Sequence, residues 1–409
     1  MRPYLVAGLD IGSTKTCAVI VSIDGDPPRR PVFKILGVGQ ARTGGMRREV
    51  VTDIEETTES VRKAMREAEL MAGAHVDRVY VGVAGEHIHA KTSTGVVAVG
   101  GDEIGAGDVR RVHEVARAVV VPADRELLHV LPQEYVVDHQ SGIRDPLGMA
   151  GMRLEAEVYI ITSSATATQN MRKAVTRAGY KIEALVHEPL ATSRAVLVED
   201  ERDVGVALVD LGGATTELAI FRDAKMRHLA TIPWGGSTVT NDLAKGLSIT
   251  YAEAERSKER FGVASARLVD PREMVEVPAP GPGSQRQVAR ELIAHIIEQR
   301  LDEILGLVAR EIESAGETGK LGAGVVLTGG GASLHGTVEV AQHVFGMPVR
   351  IGVPGEELTG LADSVKRPKF ATATGLALYG AARGLESGVA AGFGDGAVGR
   401  LVTWLKEFF

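Results

Sequence analysis

Leu9-Asp10-Ile11-Gly12-Ser13-Thr14-Lys15-Thr16, near the start of the chain, is answered by Val209-Asp210-Leu211-Gly212-Gly213-Ala214-Thr215-Thr216 in the middle. Each stretch follows an apolar run (Tyr4 to Leu9, Val204 to Val209) and precedes another (Cys17 to Ile23, Leu218 to Phe221). Each therefore reads as a hairpin: two strands, a tight turn of small residues, and an Asp at the mouth of the first strand. Small residues let backbone N–H groups come close to phosphate oxygens. A carboxylate on each side suits hydrated Mg²⁺, which takes few protein ligands and keeps water and phosphate. One such turn is explained equally well as an ordinary polar β-turn. Two in matching contexts predict a clamp on a polyphosphate. Its contacts would be Asp10, Gly12, Ser13, Thr14, Lys15 and Thr16 on one side. Asp210, Gly212, Gly213, Ala214, Thr215 and Thr216 would serve on the other. Asp10 and Asp210 would place the metal, largely through water.

The rest of the composition fits a two-lobed α/β protein. The chain has 409 residues, 44% apolar and 24% charged, with aromatics at 4% and 49 glycines. A net charge of −7 argues against a nucleic-acid partner, which calls for a basic face. Cys17 is the single cysteine, so no disulfide within the chain is possible, and a core role in a reducing compartment is expected. The first apolar run is broken by Asp10 and Lys15 and reads as a strand rather than a secretion signal.

Working outward, a third strand (34–40) and an amphipathic helix (54–71) follow the first hairpin, then a buried-type strand (78–84). From about 86 to 155 the texture changes to Thr/Val-rich strands around one helix (107–119), an inserted α+β module. The first lobe is expected to resume with a strand at 156–162, a helix at 165–178 and a strand at 182–186. Glu188 and Pro189 then open a helix that crosses to the second lobe, Pro being tolerated in a first turn. Glu188 is the candidate for orienting an attacking water. Gly235 and Gly236 open the next helix and are further candidate contacts to the nucleotide. The Pro/Gly-rich segment 276–285 reads as a loop between a hairpin and a long helix (287–314). Thr328-Gly329-Gly330-Gly331-Ala332 ends a strand where a sugar and base can lie against backbone. The last helix (367–385) is rich in small residues suited to close packing at a hinge. The His residues show no metal-ligand spacing.

This order of motifs resembles the actin-like ATPase superfamily and, within it and over nearly the whole chain, the FtsA family of bacterial cell-division proteins. The most specific stretch is Leu131-Pro132-Gln133-Glu134-Tyr135-Val136-Val137-Asp138, followed by Gly142 to Met149 and Arg153 to Ala156. The resemblance implies an actin-like (ribonuclease H-like) fold with an inserted subdomain 1C in place of actin's 1B. Subdomain 1A would take 1–85, 156–200 and the returning helix 366–385; 1C would take 86–155. Subdomain 2A would take 201–235 and 316–365, and 2B would take 236–315. ATP with Mg²⁺ is the implied cofactor, with Gly329, Gly330, Gly331 and Ala332 at the adenosine and Glu255 and Lys258 at the ribose. The implied partners are the C-terminal tail of tubulin-like FtsZ (Arg286, Arg290 and Arg300 being the candidate contacts), the protein itself in filaments, and later divisome proteins through 1C. Two departures bear on hydrolysis more than on binding: Ala214 stands where the family often has a third glycine, and Glu217 where Asp is common.

Residues 386–398 read as a flexible linker. In 399–409, Leu401, Val402, Trp404, Leu405, Phe408 and Phe409 fall on one helical face, opposite Arg400, Thr403, Lys406 and Glu407. Such a helix is too short to span a bilayer and lies in the lipid interface. Each buried apolar group contributes roughly 1.5–3 kcal/mol, against roughly 1 kcal/mol or more for each residue ordered. One tail should bind inner-membrane lipid reversibly, and an array on a polymer firmly. A pilus-platform protein of the PilM type, or another actin-like ATPase such as a kinase or chaperone, are the alternatives.

Overall fold

The computed structural model describes residues 4–24, 32–279, 284–355 and 357–386. The expected tail helix and its linker lie outside the described residues. The chain begins with β1 (Tyr4–Ile11), β2 (Lys15–Asp24) and β3 (Val32–Arg42). A small hairpin, β4 (Met46–Arg47) and β5 (Val50–Val51), leads into α1 (Ile54–Ala72). Asp53 caps α1 by accepting from the Glu56 N–H, and left-handed Gly73 ends it. Next come β6 (Arg78–Val83), β7 (His89–Ala98), α2 (Ala106–Arg117), β8 (Arg125–Val137), β9 (Gln140–Ile143), β10 (Arg153–Ser164) and α3 (Ala165–Arg177). β11 (Lys181–His187) runs directly into α4 (Glu188–Val196) and α5 (Glu199–Val204).

The second half repeats the plan. β12 (Val206–Leu211), β13 (Thr216–Arg222) and β14 (Lys225–Ile232) precede α6 (Gly236–Gly246), α7 (Tyr251–Phe261), β15 (Met274–Pro278), β16 (Gln285–Ala289) and α8 (Arg290–Ser314). β17 (Val325–Thr328), α9 (Thr337–Phe345), β18 (Val349–Ile351), β19 (Leu358–Gly360) and α10 (Ala371–Glu386) complete it.

The two main sheets carry one topology. The first has the order β11-β6-β1-β2-β3-β19 and the second β18-β17-β12-β13-β14. In both, the hairpin and third strand are antiparallel and the later strands add in parallel. Even the registers match: Ile11 faces Thr16 as Leu211 faces Thr216. In the first sheet alternation sorts side chains to two cores. Val6, Val19 and Val21 pack with Ala373, Leu376 and Ala377 of α10, while Leu9, Ile11 and Ile20 pack with Val61 and Met65 of α1 and Val175 of α3. Thus α10 does return the chain to the first sheet. It also crosses α4 closely: a methyl group on Gly375 would lie 2.0 Å from the Ala191 carbonyl oxygen.

Two expectations are corrected. The strand expected at 156–162 to resume the first lobe is β10, and it pairs with β7 and β8 along its length. It completes the inserted sheet, order β7-β10-β8-β9. Local pattern cannot tell which sheet a strand joins, and the first lobe resumes only at α3. The 276–285 segment is no spacer before a helix. Its ends are the paired strands β15 and β16, in which buried Val275 faces buried Val288 and buried Val277 faces Arg286. The long helix starts at Arg290, so Arg286 lies on a strand.

Candidate functional site

Each main sheet delivers one turn to the same place. Gly12 N–H donates to the Lys15 carbonyl (3.0 Å) and Gly212 N–H to that of Asp210 (3.1 Å), which tightens the two turns. The turns meet: a methyl group on Gly213 would lie 2.5 Å from Thr14 Oγ1. Behind the second turn, Gly236 and Ser237 N–H groups donate to the Gly212 (3.0 Å) and Gly213 (2.7 Å) carbonyls, so α6 starts on it. Gly329, at φ +83°, abuts Asp210 so closely that a Cβ would stand 2.1 Å from Oδ1. The Thr328–Ala332 turn therefore flanks the second carboxylate. Gly330 has open space beside it. Glu188, at the start of α4, lies against Gly82 of β6, where an added Cβ would be 2.8 Å from its Oε1.

Several predicted residues are held by neighbours. Lys15 Nζ is 4.0 Å from Asp10 Oδ2, donates to the Lys369 carbonyl and sits 5.4 Å over the Phe370 ring. It ties the first turn to the segment before α10. Lys258 Nζ donates to the Gly236 carbonyl (3.1 Å), Thr240 Oγ1 (2.7 Å) and Glu255 Oε2 (2.8 Å), using all three of its donors beside the second turn. Thr16 and Thr216 are fully buried, with hydroxyls bonded to Thr43 Oγ1 and the Trp234 carbonyl (2.8 Å each). They brace the hairpins and offer a ligand no surface. The three arginines also have internal partners. Arg286 donates to the Leu247 carbonyl, Arg290 to Glu273 (2.9 Å) and the Phe261 carbonyl (2.9 Å), and Arg300 to Asp242 and Glu303 (2.5 Å each).

Three further residues belong to the site. Glu49 accepts from both the N–H (3.3 Å) and the hydroxyl (2.9 Å) of Ser13. Thr372 donates to Asp210 Oδ2 (3.2 Å) and is bonded to Thr192 (2.9 Å), linking both crossing helices to the second carboxylate. Glu217, opposite Asp210 in the register, accepts from Thr231 (2.6 Å) through Oε2, while its buried Oε1 has no partner. The hairpin register alone could have pointed to Glu217. No local signal marks Glu49 or Thr372.

Five carboxylates therefore share one space. Burial raises the proton affinity of all of them, and their mutual repulsion adds to it. Glu49 is pushed up to about 7, chiefly by burial. Asp210 rises to about 6 by burial and the charge of Asp10, and Glu217 to about 8 by burial. Asp10 is raised by burial against the pull of Lys15. Glu188 is raised well above the carboxylate range by burial and then by Asp10 and Glu49. Such a set favours a cation. Among the described residues no three acidic or His side chains converge as direct metal ligands. Behind the site the His187 backbone N–H donates to His129 Nε2 (3.0 Å), and burial lowers the proton affinity of both rings.

A family model described as Cell division protein FtsA matches residues 207–375, and one described as SHS2 domain inserted in FTSA matches 85–162. The Cell division protein FtsA of Pseudomonas aeruginosa is 41% identical over 376 residues, 92% of this chain and 89% of that one. The chain belongs to the FtsA family. The SHS2 match spans the strands β7 to β10, so the inserted sheet is the FtsA insertion. The actin-like fold is shared with more distant structures. A PilM–PilN type IV pilus biogenesis complex superposes with a TM-score of 0.65 at 18% identity, over 92% of this chain and 98% of that one. MreB 5 of Spiroplasma citri bound to AMPPNP gives 0.55 at 12% identity, over 96% and 100%. These two carry the fold only; FtsA membership rests on the sequence.

Proposed function

We propose that this FtsA-family chain binds ATP with Mg²⁺ between its two hairpin turns and, in that state, assembles into filaments on the cytoplasmic face of the inner membrane at the division site. The observation that carries this is the contact of Gly213 with Thr14, which brings two Asp-bearing turns of matching register to one cleft. Ser13, Thr14 and the turn N–H groups would meet phosphate. Asp10 and Asp210 would hold the waters of Mg²⁺, and the metal would neutralise phosphate charge. Gly330 leaves room for a sugar and base beside Asp210, and Glu255 and Lys258, which pair with each other beside Gly236, would meet the ribose. Glu188 would orient an attacking water, while the departures at Ala214 and Glu217 keep hydrolysis slow at most, and Glu188→Gln should lower it while nucleotide still binds. That the MreB 5 structure contains AMPPNP supports the reading by analogy.

Filaments would tether FtsZ. The FtsZ tail would lie on the 236–315 subdomain, where Arg286 is the most exposed of the three candidate arginines, and later division proteins would meet the insert. Among the described residues no helix is long and apolar enough to cross a membrane, and attachment is assigned to the apolar face of 399–409. Lipid-vesicle co-sedimentation with Mg²⁺ and ATP tests this. The full chain should pellet and bring FtsZ with it, and a chain ending at Gly399 should not. Both chains and FtsZ staying in the supernatant would discard the tether and favour the pilus-platform reading, which otherwise has only the fold in its support.

A further inference from the structure

Arg48 and Glu49 form the two-residue turn between β4 and β5, and both are left-handed, at φ +46° and +62°. The mirror-type turn suits the twist of a hairpin but is usually built from Asn, Asp or Gly. A glutamate there is held by what its side chain and backbone touch. Ser13 N–H and Oγ both donate to Glu49 Oε1, and the Glu49 N–H donates back to Ser13 Oγ (3.0 Å). These are the donors the first turn would offer a phosphate. A carboxylate oxygen and a phosphate oxygen are equivalent acceptors for them. Beneath the turn lies Gly85, at φ +108°, where an added Cβ would be 2.9 Å from Glu49 Cβ and 3.3 Å from the Arg48 carbonyl oxygen. Arg48 Nη1 lies 3.7 Å from Glu86 Oε1. Gly85 and Glu86 begin the connection from β6 to the inserted sheet.

We propose that Glu49 is a resident mimic of a nucleotide phosphate, which must leave Ser13 before phosphate can bind, and that its release loosens the Arg48-Glu49 turn against the base of the insert. The proposal rests on the nucleotide reading of the cleft. No bond is made or broken; Ser13 exchanges one anionic oxygen for another, and Glu49 moves away from an incoming polyanion. Occupied donors and like charge both oppose the nucleotide. Glu49→Gly removes both and fits the left-handed turn. Glu49→Gln keeps an acceptor oxygen and removes the charge.

Calorimetric titration with Mg·ATP, paired with amide hydrogen exchange on the same proteins, decides the matter. Glu49→Gly should bind about tenfold more tightly than the natural chain, equivalent to about 1.4 kcal/mol, with Glu49→Gln between. In the natural chain nucleotide should slow exchange at Ser13 and speed it at 48–51 and 85–86. In Glu49→Gly only the slowing at Ser13 should occur. Equal or weaker binding by Glu49→Gly overturns the mimic and leaves the nucleotide site standing. No binding by either protein removes the nucleotide reading, and the mimic with it.

Discussion

Asp210 shows how much one side chain is asked to do. It lies against Gly329, accepts from Thr372 and carries a proton affinity raised to about 6 by burial and by Asp10. Asp210→Ala removes the second of the two turn carboxylates proposed to hold Mg²⁺, and we expect Mg-dependent ATP affinity to fall about a hundredfold, close to 3 kcal/mol, in a calorimetric titration. Unchanged affinity would disprove the metal role. The pH dependence follows from the same crowding. Glu49, Asp210 and Glu217 bind protons more tightly when folded than their ordinary carboxylate values, reaching about 7, 6 and 8. Between about pH 4 and pH 8 the folded chain thus holds protons that the unfolded chain has shed, and stability falls as pH rises. The Tm of the nucleotide-free protein should drop from pH 5 to pH 8. With Mg·ATP, whose cation favours the ionised forms, the drop should shrink. A Tm that climbs over that range without nucleotide would contradict the buried cluster.

At the scale of elements, the crossing of α4 and α10 joins the lobes through backbone contact. Gly375 has no room for a side chain against Ala191. Gly375→Val should cost about 1–3 kcal/mol by overpacking, read as a lower urea midpoint at constant slope, and should weaken the Thr372–Asp210 bond. A wild-type midpoint would show the helices free to separate there. In the insert, β8 carries a proline mid-strand. The register of β8 on β10 shifts at this point, leaving Gln133 unpaired in the ladder, because Pro132 has no N–H to give. Gln133 Oε1 then accepts from Arg227 of β14 (3.3 Å), connecting the insert to the second lobe. The Pro-Gln-Glu-Tyr passage marked the family in the sequence, and the structure gives it this mechanical place.

For the whole molecule, the two turns touch only if the lobes are closed to this degree. Gly213→Val would force a side chain into Thr14 and hold the lobes apart. Small-angle scattering should show a larger radius of gyration, and Mg·ATP should no longer raise Tm. In the natural chain, ATP at a hundredfold excess over Kd should stabilise the folded state by about 2.7 kcal/mol. A Gly213→Val protein with unchanged radius and full ATP stabilisation would mean that the contact does not set the closure.

The duplicated Asp-Gly turns were legible because each is a local pattern: alternating apolar strands, small turn residues and one carboxylate lie within a dozen positions. The doubled sheet, both crossing helices and the glycine turn at Thr328–Ala332 followed for the same reason. Tertiary structure alone decided three matters. It assigned β10 to the inserted sheet, since hydrogen-bond partners across a ladder leave no trace in one strand's own residues. It turned Thr16, Thr216 and the three arginines toward internal partners, since a hydroxyl or guanidinium takes the nearest acceptor whatever motif it belongs to. And it brought Glu49 to Ser13 across thirty-six positions of chain, because the close contact depends on how a two-residue hairpin folds back over the first turn, which no spacing in the sequence encodes.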